Sequence, residues 1–367
     1  MFHNFHFLLR RFQGLYCLLF VLSLLLLPNG QSISVAQAAP TIANSPYVVA
    51  TFSPCSDVID PATAFFAEND LVPGEVYTLE HFVPLDDERS IHVTELFTLE
   101  SWSGQRRAAL FLTGPEFKGS FWTIPVDGYN GPAMAAERGM FAFTVDYLGV
   151  GQSFKPATGR HLNYLAQVDP MRAVLDYIRY LRQVRRVDLI GEGYGGEIAS
   201  QLAADPQRVR SVVMSTLVYN EFSPEILPFF TDELHAFIEN SADGYWQPDF
   251  LDLTLGNTPK AQVRDYVKST QFDVYPTGGV LEFWDQGRPL FDVSIAKVPG
   301  LVITGSEDPF PAPSDMQSLA DAWGHGPAEL VVIEGANHVP RIEAVEFANQ
   351  YWDAVFDFWG LPEASIQ

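Results

Sequence analysis

The stretch Val187-Asp188-Leu189-Ile190-Gly191-Glu192-Gly193-Tyr194-Gly195-Gly196 decides the fold of this chain. An apolar run typical of a buried strand enters a glycine-rich turn, and a helix-like pattern follows the turn. This is the layout of a nucleophile elbow, Gly-x-Ser-x-Gly, in which glycines permit a sharp turn and the central side chain is lifted into a site. Here Gly193 occupies the central position, so the sequence provides the turn but no attacking atom.

Strands alternate with helices on both sides of the elbow. Strands are predicted at 75–84, 91–100, 108–112, 140–145, 187–190, 212–214, 301–304 and 330–333. Helices are predicted at 131–138, 165–182, 195–204, 313–323 and 341–358, the second of them with apolar residues at a spacing of three to four. Because most of the strands are continuous apolar runs, we expect an α/β fold with a mostly parallel central sheet and helices on both faces.

The N-terminal segment 1–38 has the features of a secretory signal peptide. Arg10 and Arg11 precede an apolar run at 15–27, and Ala36-Gln37-Ala38 is a small-x-small cleavage site. The apolar run is shorter than the roughly 20 residues that a membrane-spanning helix needs. We therefore expect a secreted or periplasmic protein that keeps no stable membrane anchor after cleavage.

The charge of the chain argues against binding to nucleic acid or anionic membranes, and its cysteine content excludes an intramolecular disulfide. Removing residues 1–38 takes away two Arg and no acidic residue, which changes the formal net charge from −23 to −25. Such an acidic protein is not expected to bind nucleic acid or anionic membranes. Cys55 is then the only cysteine, so no intramolecular disulfide can form.

The remaining chain divides into a core and one insertion. Residues 39–74 are expected to form an extended N-terminal segment, and residues 75–216 and 299–367 the core. Between them, 217–298 is too long for a structureless loop and is predicted to be a helical lid. Its many aromatic residues are expected mostly to form the lid's own core, while a minority line a pocket beneath it for a small apolar or ester-like ligand. The aromatic residues concerned are Phe222, Phe229, Phe230, Phe237, Tyr245, Trp246, Phe250, Tyr266, Phe272, Tyr275, Phe283 and Trp284.

Two strands near the end of the chain are each followed by a candidate catalytic residue. Asp308 comes just after the strand that begins at Leu301, and His338 comes just after the strand that ends at Ile333. The carboxyl ends of parallel strands share one edge of a sheet, where ligands bind. We therefore expect Asp308 to accept a hydrogen bond from one ring nitrogen of His338 and to leave the other nitrogen as a base.

These motifs, in this order, resemble those of the α/β-hydrolase superfamily over residues 75–360. The resemblance rests on the elbow, on Asp146-Tyr147-Leu148-Gly149-Val150-Gly151-Gln152-Ser153, on Gly305-x-x-Asp308 and on Gly335-x-x-His338. It implies a site for ester or peptide hydrolysis that needs neither an organic cofactor nor a metal. Serine peptidases of this type often carry Gly-Glu-Ser-Tyr-Gly-Gly, which differs from the present elbow only at Gly193.

A second departure from the family concerns the oxyanion hole. The resemblance implies two backbone donors, the N–H of Tyr194 and the N–H of the third residue in a His-Gly-x motif after an earlier strand. The matching positions are Thr113, Gly114 and Pro115, and proline has no N–H. One donor fewer lowers the rate of such enzymes by roughly 10²–10³.

Other residues could in principle attack a substrate. Glu192 precedes the apex, where its side chain should point away from the pocket, and Ser215 and Thr216 end the strand after the elbow. We expect all three to serve the structure instead, Asp146 to brace the turn that follows it, and Trp122 to pack beneath the site.

Three functions remain open on the sequence. The first is a pseudohydrolase that binds a ligand or partner without turnover, which the resemblance to neuroligins, with glycine at the same apex, implies. The second is a cofactor-free enzyme in which His338 and Asp308 act on water or on the substrate itself, as in some oxygenases and lyases of the superfamily. The third is a hydrolase with a relocated nucleophile.

Overall fold

The structure is a computed structural model that describes residues 49–51, 72–102, 106–114, 117–247, 260–270, 274–285, 289, 291–312 and 314–361. The expected signal peptide 1–38, Cys55, Pro115, Phe250 and Phe272 lie outside these residues. So does most of the expected extended segment 39–74. The fold belongs to the compact unit formed by residues 46–367.

A nine-stranded sheet forms the centre of this unit, in the order β1-β2-β3-β5-β4-β6-β7-β10-β11. All neighbouring strands are parallel except at β3, which runs antiparallel to both β2 and β5. Its strands are β1 (Val49–Thr51), β2 (Tyr77–Pro84), β3 (Ser90–Phe97), β4 (Arg107–Leu112), β5 (Met140–Val145), β6 (Val187–Glu192), β7 (Val209–Ser215), β10 (Gly300–Gly305) and β11 (Glu329–Ile333). The expectation of a mostly parallel central sheet is confirmed.

Helices cover both faces of the sheet, because its central strands are apolar on both sides. In β4, Ala108, Leu110 and Leu112 belong to one hydrophobic cluster, whereas Ala109 and Phe111 belong to another. Helices α2 (Tyr164–Arg182), α3 (Tyr194–Leu202) and α7 (Asp315–Asp321) contribute to the first cluster. Helices α1 (Gly131–Glu137) and α8 (Val345–Trp359) contribute to the second.

The two ends of the sheet differ from the sequence prediction. Strand β1 adds a parallel strand outside β2, within the segment that was expected only to be extended. Strand β11 is an edge strand, and its residues other than Ile333 are partly or fully exposed. A continuous apolar run in the sequence can therefore form an edge strand as well as a buried central strand.

The described residues of the insertion 217–298 form three α-helices, three short 3-10 helices and a short hairpin. The α-helices are α4 (Asp232–Glu239), α5 (Ala261–Thr270) and α6 (Thr277–Asp285), with β8 (Tyr245–Trp246) paired to β9 (Tyr275–Pro276). Among these elements, α4 contacts α6. Of its aromatic residues, Tyr275 and Trp246 are buried, whereas Phe229 is 48% and Phe237 is 63% exposed. No helix among the described residues is both long and apolar enough to cross a membrane.

Candidate active site

The elbow is present in full at the boundary between β6 and α3. Gly193 stands between them with φ 48° and ψ −120°, and its N–H donates to the carbonyl of Ser215 at 2.9 Å. The flanking glycines are required by close approach of the backbone. A Cβ on Gly191 would lie 2.3 Å from the carbonyl oxygen of Gly195, and a Cβ on Gly195 would lie 2.3 Å from that of Leu112. Only the nucleophile is missing from the motif.

Two backbone N–H groups follow Gly193 at the apex. The N–H groups of Tyr194 and Gly195 belong to the first turn of α3, where no intrahelical acceptor exists and the helix dipole favours negative charge. On the other side, the Thr113 hydroxyl donates to the Phe117 carbonyl at 3.0 Å, and the Thr113 carbonyl accepts from the Tyr147 hydroxyl at 3.1 Å. Gly114 follows Thr113, and Pro115 lies outside the described residues, so the absence of a second oxyanion donor stays a prediction.

Asp308 and His338 meet as the sequence predicts. The Nδ1 atom of His338 lies 2.8 Å from Oδ1 and 3.0 Å from Oδ2 of Asp308. Asp308 is buried, and the His338 side chain is 13% exposed. Since a carboxylate accepts hydrogen bonds, Nδ1 carries the proton and Nε2 of a neutral imidazole keeps its lone pair. This arrangement suits a general base.

Two residues that the sequence analysis did not identify hold the dyad in place. The ring of Phe310 stacks on the His338 imidazole with centroids 3.9 Å apart and planes at 20°, and the Phe310 N–H donates to Asp308 Oδ1 at 2.9 Å. The Glu343 carboxylate accepts from the N–H of Asn337 at 2.9 and 3.1 Å, which fixes the loop that carries His338. Burial and the nearby Asp308 raise the pKa of Glu343.

Glu192 is held in a buried ion pair beneath the elbow. Arg341 donates from Nε and Nη2 to its two carboxylate oxygens at 2.6 and 2.7 Å. Both side chains are almost completely buried, and the guanidinium lies against the rings of Phe121 and Trp122. Glu192 therefore supports the elbow rather than presenting a carboxylate to a ligand, and Trp122 packs as expected.

The hydroxyls after β7 are also engaged. Ser215 is fully buried, and its Oγ lies 3.0 Å from the hydroxyl of Tyr351. Thr216 donates from Oγ1 to Ser215 Oγ at 3.2 Å and has φ 57°, a backbone conformation that bends it away from the strand. Neither hydroxyl has the base contact that an activated nucleophile needs.

Part of the insertion packs directly beside the elbow. The rings of Tyr194 and Tyr275 meet edge to face with centroids 5.9 Å apart, and burial raises the pKa of Tyr194 well above its usual value. A Cβ on Gly279 of α6 would lie 3.1 Å from the Tyr194 ring, so glycine allows this close packing. The Glu282 carboxylate accepts from the Tyr164 N–H at 3.1 Å and ties α6 to α2.

Asp146 braces its turn, as the sequence indicates. Its Oδ2 atom accepts from the N–H of Gln152 at 2.9 Å, and its Oδ1 atom accepts from the N–H of Gly119 at 2.8 Å. It also contacts His92, which the sequence analysis did not identify, at 2.9 Å from Nδ1.

Comparison with known proteins points to one family. A model of the "Alpha/beta hydrolase family" matches residues 109–350, about two thirds of the chain. No curated protein sequence matches the chain. Among similar solved structures, one described as Est816, an N-acyl homoserine lactone degrading enzyme, is 22% identical, covers 76% of this chain and 100% of its own, and has a TM-score of 0.53.

Two further structures are similar over the same extent. A thermophilic esterase from Thermogutta terrifontis is 16% identical, with 77% of this chain and 98% of that chain covered and a TM-score of 0.55. An E-2-(acetamidomethylene)succinate hydrolase is 17% identical, with 77% and 99% covered and a TM-score of 0.54. At these identities the likeness concerns the fold.

Proposed function

Since the chain belongs to the alpha/beta hydrolase family, we propose that it is a secreted member of the family that binds a small ligand at the elbow without forming an acyl-enzyme. Gly193 is the observation that carries this proposal, because the elbow keeps its backbone and lacks only its nucleophile. The neighbouring candidates support it. Glu192 is paired with Arg341, and Ser215 is hydrogen-bonded to Tyr351.

The surroundings of Gly193 suit a ligand with a carbonyl or carboxylate oxygen. In the first turn of α3, the N–H groups of Tyr194 and Gly195 have no intrahelical acceptor, and the turn carries the positive end of a helix dipole. The insertion supplies apolar surface next to them, through Tyr275 and Gly279. The proposed ligand is a small apolar or ester-like molecule, with its oxygen at the start of α3 and its apolar part under the insertion, which would act as a lid.

Mass spectrometry tests the absence of an acyl-enzyme. The chain is incubated with a fluorophosphonate probe and its intact mass is measured. We expect no adduct, because no hydroxyl stands at the apex. A stoichiometric adduct on Ser215, Thr216 or another residue would establish a relocated nucleophile. The matched variant Gly193→Ser serves as the positive control.

Secretion is tested by the N-terminus of the exported protein. We expect the mature chain to begin near Ala39 and to be found outside the cytoplasm, because residues 1–38 have the three regions of a signal peptide. Retention of the full-length chain in the membrane fraction would contradict this part of the proposal.

The Asp308–His338 pair favours a second candidate function, hydrolysis with water as the nucleophile. In this reaction His338 Nε2 takes a proton from water, and the resulting hydroxide attacks a carbonyl carbon. Asp308 stabilises the imidazolium, which then returns the proton to the departing alkoxide. The tightly held Nδ1 atom supports this candidate, since it fixes the tautomer that the step requires.

Turnover of esters and lactones separates the two candidates. The wild type is compared with His338→Ala and with His325→Ala, which removes an exposed imidazole elsewhere. Turnover that His338→Ala abolishes and His325→Ala leaves intact would establish the dyad enzyme. A ligand that binds with unchanged affinity to both variants, with no turnover in any of them, supports the binding protein.

A further inference from the structure

A cavity lies at the part of the sheet edge where β2, β3 and the turn after β5 meet. Its volume is about 310 Å³, and Glu80, His92, Thr94, Lys118 and Gln152 contribute to its lining. None of these residues takes part in the elbow or in the Asp308–His338 dyad.

Asp146 determines which hydrogen-bonding group His92 presents to this cavity. Asp146 accepts from two backbone N–H groups, those of Gly119 and Gln152, and contacts His92 Nδ1 at 2.9 Å. A carboxylate so occupied acts as an acceptor, so the hydrogen of neutral His92 is on Nδ1 and the lone pair is on Nε2. The His92 side chain is 7% exposed. The Gln152 side-chain amide nitrogen lies 3.4 Å from His92 Nε2, a long hydrogen bond that a stronger donor in the cavity would replace. The cavity therefore has an acceptor nitrogen fixed in its wall.

Glu80 places a carboxylate next to this nitrogen. Its Oε1 atom lies 4.0 Å from His92 Nε2, and its side chain is 28% exposed. Within the described residues Glu80 has no hydrogen bond to its carboxylate. Two acceptors at this separation can receive donors from one nitrogen atom, because two hydrogen bonds of about 2.9 Å span more than 4.0 Å.

A primary ammonium group is the donor that this pair fits. It has three N–H groups and a positive charge that the Glu80 carboxylate would neutralise. The acidic character of the whole protein favours the approach of a cation.

Lys118 adds the opposite charge to the same cavity. A molecule with an ammonium group between Glu80 and His92 can direct a carboxylate to Lys118. We infer that the cavity binds a zwitterion of the α-amino acid type, with its ammonium group on Glu80 and His92 Nε2 and its carboxylate on Lys118.

Three related probes test the two ends of the ligand separately. L-Alanine has both charges, N-acetyl-L-alanine lacks the ammonium group, and L-alaninamide lacks the carboxylate. Isothermal titration calorimetry of the full chain with each probe should give L-alanine the highest affinity. We expect the N-acetyl compound to bind at least tenfold more weakly. Equal binding of the N-acetyl compound, or no binding of L-alanine up to about 10 mM, beyond the millimolar range of weak specific sites, would overturn the inference.

Two variants assign the contacts to residues. Glu80→Gln should weaken L-alanine binding at least tenfold, whereas Glu88→Gln, the same change at an exposed position of the β2–β3 turn, should leave it unchanged. Lys118→Met should weaken the binding of L-alanine but not that of L-alaninamide. Thermal unfolding of each variant checks that the fold is kept. If Glu80→Gln binds L-alanine as well as the wild type does, or if Lys118→Met weakens both probes equally, the assigned contacts are wrong.

Discussion

The described part of the chain contains two histidine–aspartate pairs, and their hydrogen bonds are almost the same. His338 Nδ1 lies 2.8 Å from Asp308 Oδ1, and His92 Nδ1 lies 2.9 Å from Asp146 Oδ2. Both aspartates follow the carboxyl end of a parallel strand, β10 in one case and β5 in the other. The carboxylate fixes the imidazole tautomer in both pairs.

The remaining contacts of each aspartate distinguish the two pairs. Asp308 accepts one backbone N–H, that of Phe310, and its loop carries the ring that stacks on His338. Asp146 accepts two backbone N–H groups, from segments that are far apart in the sequence, and so joins the region around Gly119 to the turn at Gln152. In the first pair the neighbouring residue Phe310 contacts the imidazole of His338. In the second pair the additional contacts are made by the carboxylate of Asp146. A histidine–aspartate bond alone therefore does not identify a base.

The largest expected difference between the two pairs is in their effect on ester hydrolysis after a serine is restored at the elbow. Gly193→Ser should gain fluorophosphonate labelling and measurable hydrolysis of short p-nitrophenyl esters, because Gly191 and Gly195 keep the turn and His338 is positioned as the base. Adding His338→Ala should remove most of this activity, since the base of a serine triad is worth up to about 10⁶-fold. Adding His92→Gln should change it by about twofold at most, as for separate sites.

The same experiment tests the predicted defect in the oxyanion hole. Gly193→Ser alone should remain slow, and the double variant with Pro115→Gly should be faster by roughly 10²-fold, the value of one oxyanion donor. A fast single variant that gains nothing from Pro115→Gly would show that the register assigned to Thr113, Gly114 and Pro115 is wrong. An inactive but folded Gly193→Ser would show that His338 is not positioned as a base.

The free energy of unfolding should depend more on the aspartate of the second pair, Asp146, than on that of the first, Asp308. Asp146→Asn should lower the free energy of unfolding by about 2–4 kcal/mol, because its amide NH₂ would face one of the two backbone donors, the buried Gly119 N–H or the partly buried Gln152 N–H. Asp308→Asn keeps an oxygen for the Phe310 N–H and should lower it by about 1 kcal/mol or less. Urea unfolding at neutral pH measures both values. Equal losses, or a larger loss for Asp308→Asn, would remove the distinction between the two pairs.

Local motifs were sufficient to predict the fold and the first pair. The elbow glycines, the alternation of strands and helices, and Asp308 and His338 at strand ends all depend on residues close together in the sequence. Their placement follows from the rule that parallel strands bring their carboxyl ends to one edge. The structure confirms the sheet and the contact between the two side chains.

Side-chain pairs formed by residues far apart in the sequence could not be predicted from local motifs. His92 lies within a strand and is 54 residues from Asp146, and Arg341 is 149 residues from Glu192. Neither partner belongs to a motif with the other, so periodicity and spacing cannot join them. The exposure of Phe229 and Phe237 was missed for a similar reason, since an aromatic-rich segment does not reveal which of its side chains the core will cover.

The smallest expected effect concerns Glu343, an acidic residue close to the first pair. Burial, and to a lesser degree the charge of Asp308, raises its pKa above the ordinary value of 4.5. The folded chain therefore binds a proton at Glu343 more tightly than the unfolded chain does. Stability contributed by this proton is present below pH 4.5 and is lost as the pH rises through the higher pKa of the folded state.

Glu343→Gln should remove this loss, since glutamine does not titrate. The difference in unfolding free energy between variant and wild type, measured by urea unfolding from about pH 4 to pH 7, should shift in favour of the variant as the pH rises. Glu346→Gln, which removes an exposed carboxylate nearby on α8, is the matched control. Asp308→Asn should make the trend smaller, because it removes a negative charge that raises the pKa of Glu343. A trend that Asp308→Asn leaves unchanged would mean that burial alone raises the pKa of Glu343. The charge of Asp308 would then have no effect on that pKa.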